Sequence, residues 1–305
     1  MRVVFQKFKK EVFIMVTLLT LIAGAELVSS IVNAQTLDTL VNMDIHNFFY
    51  KAICLVVIFA FYLLFTYMLI RYQAYFNQKV ATWLRDRISH SIEATSYGRF
   101  YEKNSQTYIS WFTSDLEQIK GNAMNPTFEV IGGIISAVIS AVALFMYHWS
   151  IVLLAAICIV IMAVLPALFS AELTEKTIKV SEANEKFAKS ISDLLSGYDT
   201  LFVFRKLAYL KEKIHEKSVE VGDTHRDFSK SMAKVAVSGG IGNVFSQISV
   251  FILTGYLAYI GEVSIGSILA AMALSSTIFN VLGNISQKIG SIKSTNSLFK
   301  KYEQL

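Results

Sequence analysis

The stretch Phe48–Ile92, FFYKAICLVVIFAFYLLFTYMLIRYQAYFNQKVATWLRDRISHSI, changes character once and breaks nowhere. Its first half, 48–70, is an apolar run with a single charge, Lys51, at its edge. A bilayer core of about 30 Å needs about 20 such residues of helix. In lipid the backbone can satisfy itself only within a helix or a closed barrel. From Arg71 onward the chain turns polar, yet Tyr72, Phe76, Val80, Trp83/Leu84, Ile88 and Ile92 continue at helical spacing. Neither glycine nor proline interrupts the stretch. A membrane span that continues as an amphipathic helix beyond the bilayer is a lever, and that reading organises the rest of the chain.

The 305 residues are 54% hydrophobic and 17% charged, against about 25% charged in soluble domains. Six apolar runs are long enough to span, at about 12–32, 48–70, 127–147, 151–171, 235–260 and 265–285. None alternates with period two, so the expected fold is an all-α membrane protein with six transmembrane helices. No small-residue cleavage site follows the first run, which therefore reads as a span and not a signal peptide. All Lys and Arg except Lys51 fall in the N-terminal segment, 71–120, 173–234 and the C-terminal tail, while the connections 34–50, 147–150 and 261–266 carry none. The positive-inside rule puts the basic side in the cytoplasm. The expected protein is multi-pass in the plasma (inner) membrane, with both termini cytoplasmic and two long cytoplasmic helical hairpins, 71–126 and 172–234. Legs of about 25 residues would reach on the order of 40 Å below the bilayer. Their turns fall near 97–107 and 197–204.

The net charge of +5 follows largely from this sidedness. It suits anionic inner-leaflet lipid or a cytoplasmic partner; a nucleic-acid reading would need a basic patch on a soluble domain. Cys54 and Cys158 sit inside apolar runs and read as packing or lipid-facing residues, and the five histidines form no metal-ligand spacing.

Six spans, two long inner connections and short outer ones resemble the transmembrane domain of ATP-binding-cassette (ABC) exporters of the six-helix type, over essentially the whole chain. In the first hairpin, Phe100–Lys120 (FYEKNSQTYISWFTSDLEQIK) is similar to the family's pattern of paired aromatics, Ile-Ser and Asp-Leu. In the second, Asp193–Phe204 (DLLSGYDTLFVF) shows an acid, a Gly four positions later and an apolar tip. Tyr256–Ala270 (YLAYIGEVSIGSILA) resembles the Gly-x-Val-x-x-Gly turn between spans five and six. The resemblance implies a domain-swapped dimer. It makes the tips coupling helices that dock on a nucleotide-binding domain through Asn104, Ser105, Gln106, Tyr108 and Trp111, and through Gly197, Tyr198, Asp199, Thr200 and Phe202. Two departures stand out. Gln106 and Trp111 occupy positions near the family's Gly and Ser-Arg, which favours a heterodimer, and Asp193 replaces the usual Glu.

Leu195-Ser196-Gly197 copies the opening of the ABC ATPase signature, but Tyr198 and Asp199 follow in place of Gly-Gln, and no Gly-Lys pair exists to form a phosphate loop. Gly197 therefore reads as a bend. No catalytic or metal residue is expected, and the chain is not itself an enzyme. No cofactor is expected in it; ATP and Mg belong to a nucleotide-binding domain, either fused beyond KKYEQL (Lys300–Leu305) or a separate chain. The other expected partners are a second transmembrane domain, identical or different, and membrane lipid.

Ionisable and amide groups at membrane depth need a reason. Gly and Ser stripes suit helix packing, and Gly239-Gly240-x-Gly242 reads the same way. Glu26, Ser30, Asn33, Asn243, Gln247, Asn280 and Asn284 are the candidates for a translocation cavity. Glu129 lies near the inner interface, where solvation suffices. Pro166 is expected to kink helix four. An importer of the same architecture and a non-transporting sensor or regulator are the alternatives, and peptide, lipid and drug substrates stay open.

Overall fold

The computed structural model describes residues 2–102 and 104–295, so KKYEQL lies outside the described residues. Eleven α-helices run in chain order: α1 (Arg2–Lys7), α2 (Lys9–Val41), α3 (Ile45–Glu93), α4 (Tyr97–Tyr101), α5 (Ser105–Phe112), α6 (Ser114–Ile119), α7 (Asn125–Tyr147), α8 (Trp149–Ser196), α9 (Tyr198–Val203), α10 (Leu207–Tyr259) and α11 (Ser267–Ser294). A π-helical turn, Lys120–Met124, joins α6 to α7. Among the described residues there is no strand. Six helical stretches are long and apolar enough to cross a membrane: α2, α3, α5 through α7, α8, α10 and α11. The all-α, six-helix expectation is met, and α3 is one unbroken helix across the change from apolar to amphipathic sequence.

The chain forms two compact units. The first holds α1 to α7, the start of α8, the end of α10, and α11. Its hydrophobic core lies in the first hairpin. Phe76, Val80, Leu84 and Ile88, spaced four apart on α3, are almost fully buried. They pack with Trp111, Leu116 and Ile119 of the returning leg and with Phe128 of α7. The N-terminal segment completes this core. Val4 and Phe8 are buried, and the Phe8 ring meets Phe76 edge-on at 6.1 Å and Trp83 at 5.8 Å. The basic N-terminus thus carries an apolar stripe that the charge pattern alone conceals.

The returning leg is less regular than α3. It breaks at Thr113 (φ −122°, ψ −90°), and Arg85 Nε donates to the Phe112 carbonyl at 3.4 Å. That bond satisfies an acceptor near the break. At the base of the hairpin, Asn125 Oδ1 accepts from Gln73 Nε2 at 3.0 Å and from Asn77 Nδ2 at 2.8 Å. Pro126 then occupies the first turn of α7, where its missing N–H costs nothing.

At the opposite end of this unit, a three-residue turn joins α2 to α3, with Met43 in the left-handed region (φ 59°). Asp44 caps α3: its carboxylate accepts from the Asn47 N–H at 3.2 Å and from Asn47 Nδ2 at 2.6 Å. The glycines of the 261–266 turn have separate jobs. Gly261 adopts φ +82°, a conformation that glycine takes without penalty. Gly266 packs so closely that a Cβ there would collide with the Ala34 carbonyl oxygen.

The second unit is residues 157–246. Its α8 and α10 arms run antiparallel, as the contacts show in order along them. Gly242 abuts Met162 and Leu165, and Gly239 faces Pro166, while Gly240 has open space. Glu172 accepts from Ser231 Oγ at 2.8 Å and Lys234 Nζ at 2.9 Å, and Asn184 meets His225 at 3.3 Å. The arms end in α9. Residues 172–234 carry 12 Lys and Arg against 11 Asp and Glu, and much of that charge is neutralised within each arm by pairs such as Lys179–Glu175 and Lys213–Glu216. Such exposed i,i+3 and i,i+4 pairs each contribute a few tenths of a kcal/mol.

Candidate functional site

Two kinds of surface bear on function: the hairpin tips, and polar groups along the membrane-spanning helices. In the first tip, Asn104 caps α5 by accepting from the Gln106 N–H at 3.2 Å. Asn104, Ser105 and Gln106 are exposed. Tyr108 stacks on Phe100 at 4.7 Å and donates its hydroxyl to the Phe100 carbonyl at 3.1 Å, so it braces the tip from within. Trp111 corrects the sequence reading. It is 1% exposed and belongs to the hairpin core, so it supports the tip and offers no docking surface. Apolar spacing did not reveal this, because the helical repeat into Leu116 and Ile119 runs through Phe112.

The second tip is open. Helix α8 stops at Ser196, Gly197 takes φ −87° and ψ 7°, and α9 begins at Tyr198. The left-handed residue of the tip is Arg205 (φ 53°), which no glycine or asparagine announces in the sequence. Tyr198 and Phe202 stack on one face of α9 at 6.2 Å. Asp199 and Thr200 are exposed beside them. Phe202, Val203 and Phe204 are 61%, 74% and 70% exposed. A contiguous apolar tip on an otherwise charged hairpin is the signature of a contact surface.

Among the membrane-depth candidates, Glu26 is half-buried on α2. Ser30 is turned to its own helix, donating to the Glu26 carbonyl at 2.9 Å. Asn33 is exposed, and Asn243 and Gln247 lie half-buried one turn apart on α10. Asn280 and Asn284 come together with Glu129 and Lys288 around a cavity of about 230 Å³ between α7 and α11. Lys288 Nζ lies 2.7 Å from Glu129 Oε2, so the interfacial acid is answered by an ion pair and not by solvent alone. Glu26 does not line this cavity. The structure therefore divides the candidate residues into separate groups.

A family model described as the ABC transporter transmembrane region matches residues 12–282. The chain belongs to this family. No curated protein matches it. As an ABC transporter transmembrane region it is an integral membrane protein, and such regions work with nucleotide-binding and transmembrane partners. The two helical hairpins and the polar groups on α2, α7, α10 and α11 are the features of this ABC region on which a transport mechanism can be built.

Proposed function

We propose that this region is the membrane half of an ATP-driven exporter in the plasma (inner) membrane, with both termini and both hairpins on the cytoplasmic side. The observation that carries the reading is the exposed aromatic tip of the second hairpin. Rigid arms of about 25 residues beyond the bilayer hold Tyr198 and Phe202 roughly 35–40 Å from it. Docked in a groove of a nucleotide-binding domain, α9 would pass the motor's closure on ATP and Mg to α8 and α10. Asn104, Ser105 and Gln106 form the corresponding contact of the first hairpin. Pairing with a second transmembrane domain completes the pathway, and the independence of residues 157–246 as a compact unit supports a swapped pairing. Glu26, Asn33, Asn243, Gln247, Asn280 and Asn284 are the polar lining proposed for that pathway.

The test is ATPase activity of the full-length protein, with its nucleotide-binding domain, in lipid vesicles. Phe202→Glu is expected to abolish substrate stimulation of ATPase activity while the protein still folds and inserts. Unchanged stimulation would show that α9 does not touch the motor and would remove the basis of the reading. Inside-out vesicles that accumulate substrate on ATP addition, and right-side-out vesicles that do not, establish export over import.

A further inference from the structure

We propose that the cavity between α7 and α11 binds the headgroup of a zwitterionic membrane amphiphile carrying a primary ammonium and an anionic group a few bonds apart. The proposal gives the exporter reading a substrate class and rests on it only for the step after binding. Four polar side chains of complementary kinds converge there: the Glu129 carboxylate, the Lys288 ammonium, and the carboxamides of Asn280 and Asn284. Both carboxamide nitrogens are turned along α11, Asn280 Nδ2 to Ser276 Oγ at 3.3 Å and Asn284 Nδ2 to the Asn280 carbonyl at 2.9 Å. The cavity thus offers an anion, a cation and two exposed carboxamide oxygens.

Charge balance selects the ligand. A simple cation that pairs with Glu129 displaces Lys288 and leaves it unanswered, and a simple anion does the reverse. A zwitterion replaces the Glu129–Lys288 pair with two pairs and strands neither charge. The side chains are 51% and 34% exposed, so water partly screens a stranded charge, and the preference is on the order of tenfold, not thousandfold. The two amide oxygens add a second filter. They can accept N–H bonds from a primary ammonium, which has three donors, whereas a quaternary ammonium has none to give.

Position selects the source. Glu129 lies two residues inside the apolar run 127–147 and Lys288 three residues beyond the run 265–285, so the charged rim sits at headgroup depth. Val130, Val281 and Ile285 complete the wall, and they suit the first carbons of an acyl or glycerol moiety. A cavity of about 230 Å³ admits a headgroup and leaves the chains in the bilayer.

The test reads binding without nucleotide. Full-length protein in detergent is titrated with short-chain phosphatidylethanolamine, and its thermal midpoint is followed. Short-chain phosphatidylcholine, phosphatidylglycerol, an alkylamine and soluble glycerophosphoethanolamine serve as comparisons. Phosphatidylethanolamine is expected to half-saturate at about a tenth of the concentration that the other lipids and the amine require. Glu129→Gln should transfer the preference to phosphatidylglycerol, and Lys288→Gln to the alkylamine. The charge exchange Glu129→Lys with Lys288→Glu keeps the pair and should still favour the zwitterion, which separates loss of the site from loss of the fold. No advantage for phosphatidylethanolamine, or a preference that neither single substitution moves, overturns the proposal. Equal binding of glycerophosphoethanolamine overturns the membrane source. ATP-driven transport without headgroup binding removes this proposal alone; headgroup binding without ATP-driven movement removes the exporter reading and leaves the site standing.

Discussion

The Asp38 carboxylate accepts a hydrogen bond from the backbone N–H of Gly266 at 2.6 Å, across 228 residues of sequence. The acceptor stands on the last turns of α2 and the donor just before the start of α11. The bond therefore clips the end of the first membrane helix to the turn that leads into the last. It is charge-assisted, and the N-terminal end of α11 favours a negative group beside it.

Asp38→Ala should destabilise the protein by about 1–3 kcal/mol, the range for a hydrogen bond to a charged partner. Gly266→Ala should cost a similar amount for a different reason. Its Cβ would meet the Ala34 carbonyl, and backbone cannot step aside as a side-chain end can. Thermal unfolding in detergent measures both. A Gly266→Ala protein as stable as wild type would show that α2 and α11 do not approach this closely.

Trp111→Ala should cost about 3–5 kcal/mol, because it empties a fully buried site in the first hairpin. Gln106→Ala, on the exposed tip, should stay within about 0.5 kcal/mol. Limited proteolysis of the hairpin separates them: Trp111→Ala should be cut readily and Gln106→Ala should not. Equal resistance would move Trp111 out of the core.

Asp44 gives a pH dependence of known sign. The Asn47 backbone N–H, and then the Asn47 side chain, hold its carboxyl below the usual range. The resulting stability is present above the unfolded-state carboxylate value of about 3.9 and is lost as pH falls through the lower folded value. Asp44→Asn keeps a capping oxygen that does not titrate, so its unfolding midpoint should fall less on acidification. Identical pH profiles for the two proteins would mean that the cap does not form.

Sidedness is testable with single cysteines in a background where Cys54 and Cys158 are alanine. A cysteine at Met43 should react with an impermeant maleimide added outside intact cells, and one at Phe204 only after permeabilisation. Both side chains are exposed in this chain, at 84% and 70%, and denaturant added after permeabilisation frees Phe204→Cys from a docked partner. Labelling of Phe204→Cys from outside would invert the topology.

Much of this architecture was legible in the sequence because it rests on long, repeated signals. The four-residue spacing of Phe76, Val80, Leu84 and Ile88 predicts α3, and each of those residues is buried. What escaped depends on single contacts between distant segments. Phe8 reads as part of a basic leader until Phe76 and Trp83 are found beside it. Trp111 reads as a tip residue because spacing gives a helix face but not which neighbour covers it. Asn280 and Asn284 were visible as polar interruptions, yet only packing brings Glu129 and Lys288 to them. The bend at Arg205 left no trace, since nothing in its side chain favours the left-handed region.

The π-helical turn at Lys120–Met124 makes the reading frame of this hairpin a physical quantity. A π turn closes its hydrogen bonds one residue further along than an α turn, so it takes up extra chain without ending the helix. Removing one residue there, Gly121 for instance, would leave sequence composition, helix content and hydrophobicity almost unchanged. It would let the turn close as an α turn and would keep Trp111, Leu116 and Ile119 on the side of the aromatic core. A deletion between Phe76 and Ile88 in α3, which stores no extra residue, would swing one of them about 100° round the helix from the other. In this segment, then, the loss of a single codon can be absorbed, where the same loss in α3 cannot.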